Sequence, residues 1–157
     1  MVRERPERCA ERIAYGVGSG RAGPWTFHNA ANDTLYVASS SDNAIYEIPT
    51  ATKTTSTVNA TLLFQDFAHL HGPIDLVILP NGHFLVANSD GSNANPNEPS
   101  ELVEYTPTGQ FLGQGPVDPN NGGAFGLATS NLAWGTFRMA SVDDNTNTLS
   151  IRLAVSQ

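Results

Sequence analysis

Two histidines with a single residue between them, His69 and His71, are the side chains in this sequence whose type and spacing best suit a transition metal. Imidazole nitrogens ligate zinc, and His28 or His83 from another part of the chain could complete a set of three. A second group is rich in oxygen. Asn88, Asp90, Ser92, Asn93, Asn95, Asn97 and Glu98 fall within one stretch long enough to wrap a calcium ion. Asp143-Asp144-Asn145-Thr146-Asn147 is a similar polar run further on. Each group also has a plainer reading. His71 precedes an apolar run and His83 follows Gly82, which are ordinary places at the solvent edge. The oxygen-rich stretch lacks the acid density and fixed glycine of an EF-hand, and Asn and Asp beside Gly91, Pro96 and Pro99 are common turn formers. Repetition of a polar turn favours turn chemistry, so the expected cofactor is none, with calcium as the alternative.

Other chemistry has less to work with. Cys9 is the only cysteine, which removes an intrachain disulfide framework and a cysteine-rich zinc site. No Gly-x-Ser-x-Gly elbow occurs in the sequence. Glu101 and Glu104 are three residues apart in an extended pattern, so their carboxylates point to opposite faces and are no acid/base pair. Gly16, Gly18 and Gly20 resemble a phosphate loop only in composition. They follow no strand and are succeeded by Arg21, where a dinucleotide fingerprint wants glycine.

Charge narrows the partners. The 157 residues carry 8 Lys plus Arg against 15 Asp plus Glu, a formal charge of −7. Five of those cations lie in the first 21 residues, leaving three against twelve acids, −9, on the remainder. A body that acidic repels phosphate backbones and anionic bilayers, so neither nucleic acid nor membrane is expected as a partner. No apolar run approaches the roughly 20 residues that span a bilayer, and the first twenty residues lack the apolar core of a secretory signal. Abundant Thr, Asn and Ser with a single lysine, Lys53, hint at an extracytoplasmic origin, although localisation stays open.

The elements that must position these side chains follow from alternation of apolar and polar residues. Residues 1–21 read as an irregular or short helical arm. From Gly23 onward the chain reads as short strands: GPWTFHN, TLYVASS, AIYEIPT and, after a Thr-rich loop, TLLFQDF. Ile74 to Leu79, Phe84 to Ala87, Leu102 to Tyr105 and Phe111 to Gln114 form a second meander, turned at Pro80-Asn81-Gly82 and Thr106-Pro107-Thr108-Gly109. GAFGLATS, TFRMASV and TLSIRLAV form a third that stops after three strands. Tyr36, Leu85 and Arg138 hold equivalent places, 49 and 53 residues apart. That spacing matches propeller blades, which repeat about every 40 to 50 residues.

The segments GPWTFHNAANDTLYVAS, GPIDLVILPNGHFLVAN and GAFGLATS with FRMASVDDNTNTLSI resemble NHL-type six-bladed β-propeller repeats, in particular the C-terminal half found in secreted bacterial NHL-like proteins. The resemblance covers about residues 22–155 and implies an all-β partial β-propeller of about three four-stranded antiparallel blades, near 23–70, 72–120 and 123–157. Relatives in that class include lactonases and lyases as well as binding scaffolds. Gluconolactonase-like relatives place Asn or Asp metal ligands where strands open, whereas here Trp25, Ile74 and Phe125 stand at those positions and cannot bind a hard cation. The resemblance therefore implies a non-enzymatic scaffold that binds a protein, peptide or glycan through loops at one end of the blades. The alternative is a metal-dependent lactonase or lyase, incomplete in this chain, to which Asp75, Asn88 and Asp90 contribute metal ligands. Under either reading His69, His71, Asp143 and Asp144 are the candidate binding residues at the loops. Three blades do not close a ring, so a longer protein or a homodimer of three plus three blades is expected.

Overall fold

Three antiparallel meanders build the chain, as seen in a computed structural model that describes residues 26–89, 93–132 and 136–155. The first sheet runs β1 (Thr26–Asn29), β2 (Thr34–Ser39), β3 (Ala44–Ile48), β4 (Thr61–Gln65). The second runs β5 (Pro73–Ile78), β6 (Phe84–Asn88), β7 (Glu101–Tyr105), β8 (Phe111–Pro116). The third has β9 (Ala124–Asn131), β10 (Thr136–Asp143) and β11 (Thr148–Val155) and no fourth strand among the described residues. The only helical piece described is a 3₁₀ turn, Ala51–Lys53. This is the all-β, partial-propeller architecture expected from the repeat. The proposed arm at 1–21, with Cys9, and the residues Trp25 and Asp90 lie outside the described residues.

Strand β5 contacts both β1 and β9, so the first strands of the three sheets line one side and the sheets stack outward from it. β2 and β6 are buried along their whole length. Their sequences, TLYVAS and FLVAN, carry apolar residues on both faces because both faces are covered. One core lies between the first two sheets: Tyr36, Ala38, Ile45 and Phe64 pack against Leu76, Phe84, Val86, Val103 and Tyr105. Tyr36 meets Phe84 edge to face at 5.0 Å, and Phe64 lies 4.9 Å from Tyr105. The second core joins Val77, Leu85, Ala87 and Leu102 to Ala124 and Phe137 of the third sheet. Complete burial of a side chain such as Ile45 stabilises by about 1.5–3 kcal/mol. At Gly109, with φ 81, a Cβ would run into Phe64, so the β7–β8 turn needs glycine both for its backbone and for its fit against the first sheet.

The repeat is visible in the pairing register. Ala38 pairs with Ile45, Ala87 with Leu102 and Ala140 with Ile151, each two residues after the equivalent Tyr36, Leu85 and Arg138. Each turn leading into the third strand also ends on a left-handed residue: Asn43 (φ 49), Ser100 (φ 51) and Asn147 (φ 54). Two of these side chains latch one sheet to the next. Gly72 N–H, just before β5, donates to Asn43 Oδ1 at 3.1 Å, and Gly123 N–H, just before β9, donates to Ser100 Oγ at 2.7 Å. The β3–β4 loop is longer than its counterpart between β7 and β8, and its Ala51 and Ala60 fold back onto Leu35, Val37, Tyr46 and Ile48 on the outward face of the first sheet.

Candidate functional site

The sheets present two ends. At one lie the β2–β3, β6–β7 and β10–β11 turns together with the β4–β5 and β8–β9 connections. His69, His71, Asp75, Asn88, Asp143 and Asp144 all belong to this end. His28 and His83 do not. His28, beside the β1–β2 turn, pairs with Asp33 at 3.1 Å, and His83, beside the β5–β6 turn, pairs with Glu104 at 2.7 Å. The trio of imidazoles considered for zinc is therefore divided between opposite ends of the sheets. The strand reversals separate them, and spacing in sequence could not reveal that.

His69 and His71 are held apart from each other by different partners. His69 stacks flat on Phe111 at 3.8 Å, and its Nδ1 lies 2.8 Å from Asp66 Oδ2. That same oxygen accepts Tyr105 O–H at 3.1 Å, and Asp66 Oδ1 accepts Ala68 N–H at 2.8 Å. Burial works against the Asp66 carboxylate, but the bonds from His69, Ala68 and Tyr105 outweigh it and hold its pKa below the usual carboxylate value. On Tyr105, burial and the nearby Asp66 carboxylate push the phenol up. His71 sets Nδ1 against Asn93 O at 3.1 Å and Nε2 against Ala68 O at 3.2 Å. Both of its nitrogens lie against backbone carbonyl oxygens.

Asp75 and Asn88 point to opposite faces of the second sheet. Asp75 is half-buried and straps two blades together: its Oδ1 accepts Leu76 N–H at 2.8 Å, and its Oδ2 accepts Leu127 N–H of β9 at 2.7 Å. Burial raises its pKa, with those two N–H groups pulling the other way. Asn88 is fully buried and faces the first sheet, donating through Nδ2 to His69 O at 2.6 Å and to Glu101 Oε1 at 2.8 Å. Its Oδ1 is buried with no hydrogen-bond partner. The alternation expected for Glu101 and Glu104 holds, since Glu101 is buried beside Asn88 while Glu104 reaches His83.

The remaining candidates make turns. Asp143 Oδ1 accepts Asn145 N–H at 3.1 Å and its Oδ2 accepts Thr146 O–H at 2.6 Å, while Asp144 N–H donates to Gly123 O at 2.9 Å. Asn95, Asn29, Asn81 and Asp118 bond the backbone N–H two residues on in the same way. Asp118 also accepts Asn145 Nδ2 at 3.1 Å, and the Asn120 backbone bond is the main cause of its lowered pKa. Asn93 bridges blades, donating to Ser40 O at 2.9 Å and Asn43 Oδ1 at 3.1 Å. Among the described residues no group of three or more His, Cys, Asp or Glu is placed to hold a metal. Sequence reasoning passed over Asp66, Asn43, Ser100 and Asp118. The signal for Asp66 and Asp118 was their place at the start of each sheet-to-sheet connection. Asn43 and Ser100 stood one residue ahead of a third strand.

The fold and this arrangement define a β-propeller-like protein. No protein-family model matches the chain, and no curated protein matches it. Among solved structures it is similar to a luciferin-regenerating enzyme, with a TM-score of 0.52 and 14% identity over 87% of this chain and 45% of that one. The chain thus spans less than half the length of that protein, and at this identity the likeness concerns the fold. No helix among the described residues is long and apolar enough to cross a membrane, a statement that leaves strand-built barrels aside.

Proposed function

We propose that the chain is a non-enzymatic interaction scaffold of the NHL propeller type, which takes a protein, peptide or glycan across the end formed by the β2–β3, β6–β7 and β10–β11 turns. One observation carries this reading: among the described residues, polar side chains at that end bond loop to loop across blades, and no group of three or more His, Cys, Asp or Glu is placed to hold a metal. Asn93 ties the β6–β7 loop to Ser40 and Asn43, and Asn145 ties the β10–β11 turn to Asp118 and to Asn120 O at 3.3 Å. Loops fixed in this way lose little conformational freedom on binding, which favours a broad, preorganised recognition surface. The test is a peptide and glycan array probed with the chain in chelator. Binding that survives chelator and weakens at least tenfold in Asn93→Ala supports the reading. Binding that needs a divalent ion, or that ignores Asn93→Ala, counts against it.

The second reading, a metal-dependent lactonase or lyase incomplete in this chain, is favoured by one finding: the similar solved structure carries an enzyme's name. On that reading Asp75, Asn88 and Asp90 would supply ligands and the rest would come from outside the chain. Asp75 would first have to release two backbone N–H groups.

A further inference from the structure

The third sheet leaves bare a face that its two predecessors bury. Ile45 and Leu102, each paired with an alanine of the preceding strand, are 0% and 8% exposed because the next sheet covers them. Ile151, paired with Ala140 in the same register, is 65% exposed, and Leu149, Leu153 and Val155 on its face of β11 are 61%, 70% and 66% exposed. Four aliphatic side chains in one ladder exceed the scattered apolar exposure of an ordinary surface. The chain also holds the matching half. In the contact between the first two sheets the incoming second sheet offers Phe84, Val86, Val103 and Tyr105. Their register equivalents in the first sheet, Leu35, Val37, Tyr46 and Ile48, face away from the second sheet and are all apolar.

We infer that the β11 face docks the outward face of the first sheet of a second copy of this chain, head to tail. Two such contacts related by a two-fold axis close a ring of six blades, within the four to eight that propellers use. The length of the similar propeller agrees, since one aligned stretch is 87% of this chain and 45% of that protein, which makes it about twice as long. The receiving face is covered in the single chain by Ala51 and Ala60 of the β3–β4 loop, and pairing displaces that cover. Among the described residues Arg138 is the one cation on this face of the third sheet. It occupies the place of Tyr36 and Leu85 and pairs with Leu153.

Light scattering on the intact chain after size exclusion, at tens of micromolar, is the test. The expected mass is twice the 16.7 kDa of one chain. Ile151→Asp, and Leu62→Asp on the receiving face, where Leu62 pairs with Tyr46 and is 50% exposed, should each weaken pairing at least tenfold. Both sites are exposed in the single chain, so the β circular-dichroism signal should stay unchanged. Mixing the two variants should restore a dimer through the one contact that both leave intact. A well-behaved wild-type monomer would overturn the inference. So would a Leu62→Asp variant as dimeric as wild type, which would mean that β11 faces pair with each other.

Discussion

Asp66 shows how a single carboxylate at the loop end contributes to stability. Its pKa is held down by His69, Ala68 N–H and Tyr105 O–H against the opposing effect of burial. A carboxyl whose folded pKa lies below its unfolded value, near 3.9, stabilises fully at neutral pH and loses that contribution as pH falls through the folded value. Asp66→Asn keeps an oxygen for Ala68 but gives up the charge that His69 and Tyr105 bond. It should cost about 1–2 kcal/mol at pH 7. The gap from wild type should narrow below about pH 4, as read by thermal melts across pH. Asp75 carries the opposite sign. Its raised pKa means that its ionised form costs stability at neutral pH, and that cost eases as pH falls through the raised value.

At the scale of elements, the latch before the third strand of each of the first two sheets is the device that sets one sheet on the next. Ser100→Ala leaves Gly123 N–H without its acceptor in a buried site and puts alanine at φ 51. The expected loss is about 1–3 kcal/mol in urea unfolding with an unchanged m-value. If Ser100→Ala were neutral, the latch would be a by-product of the turn rather than a support for sheet order. The strands themselves could be read from the sequence because a period-2 pattern determines which side chains a sheet can bury. Leu35, Val37, Phe84 and Val86 advertise their strands directly. The latches could not be read, because a serine or asparagine before a strand looks like any other turn residue until the next sheet's glycine is brought against it. The division of the histidines between the two ends was hidden for a related reason. Residue type suggested metal ligation, but only the topology shows that His28 and His83 stand at one end and His69 and His71 at the other. For Asp75, burial and the approach of Leu127 N–H from β9 decide its role, and neither is local in sequence.

For the molecule as a whole, the proposal to be tested is that the polar groups of the loop end serve to hold blades together rather than to bind a metal ion. Calorimetric titration of the chain with calcium and with zinc, alongside thermal melts of wild type and Asp75→Ala, tests it most directly. Removal of Asp75 leaves Leu76 N–H and Leu127 N–H unpaired and should lower stability by about 1–3 kcal/mol. Neither ion should raise the melting temperature of either protein at millimolar concentration, because a ligand that does not bind the folded state cannot stabilise it. Sub-millimolar binding that raises the wild-type melting temperature and vanishes in Asp75→Ala would contradict the account and make Asp75 a metal ligand.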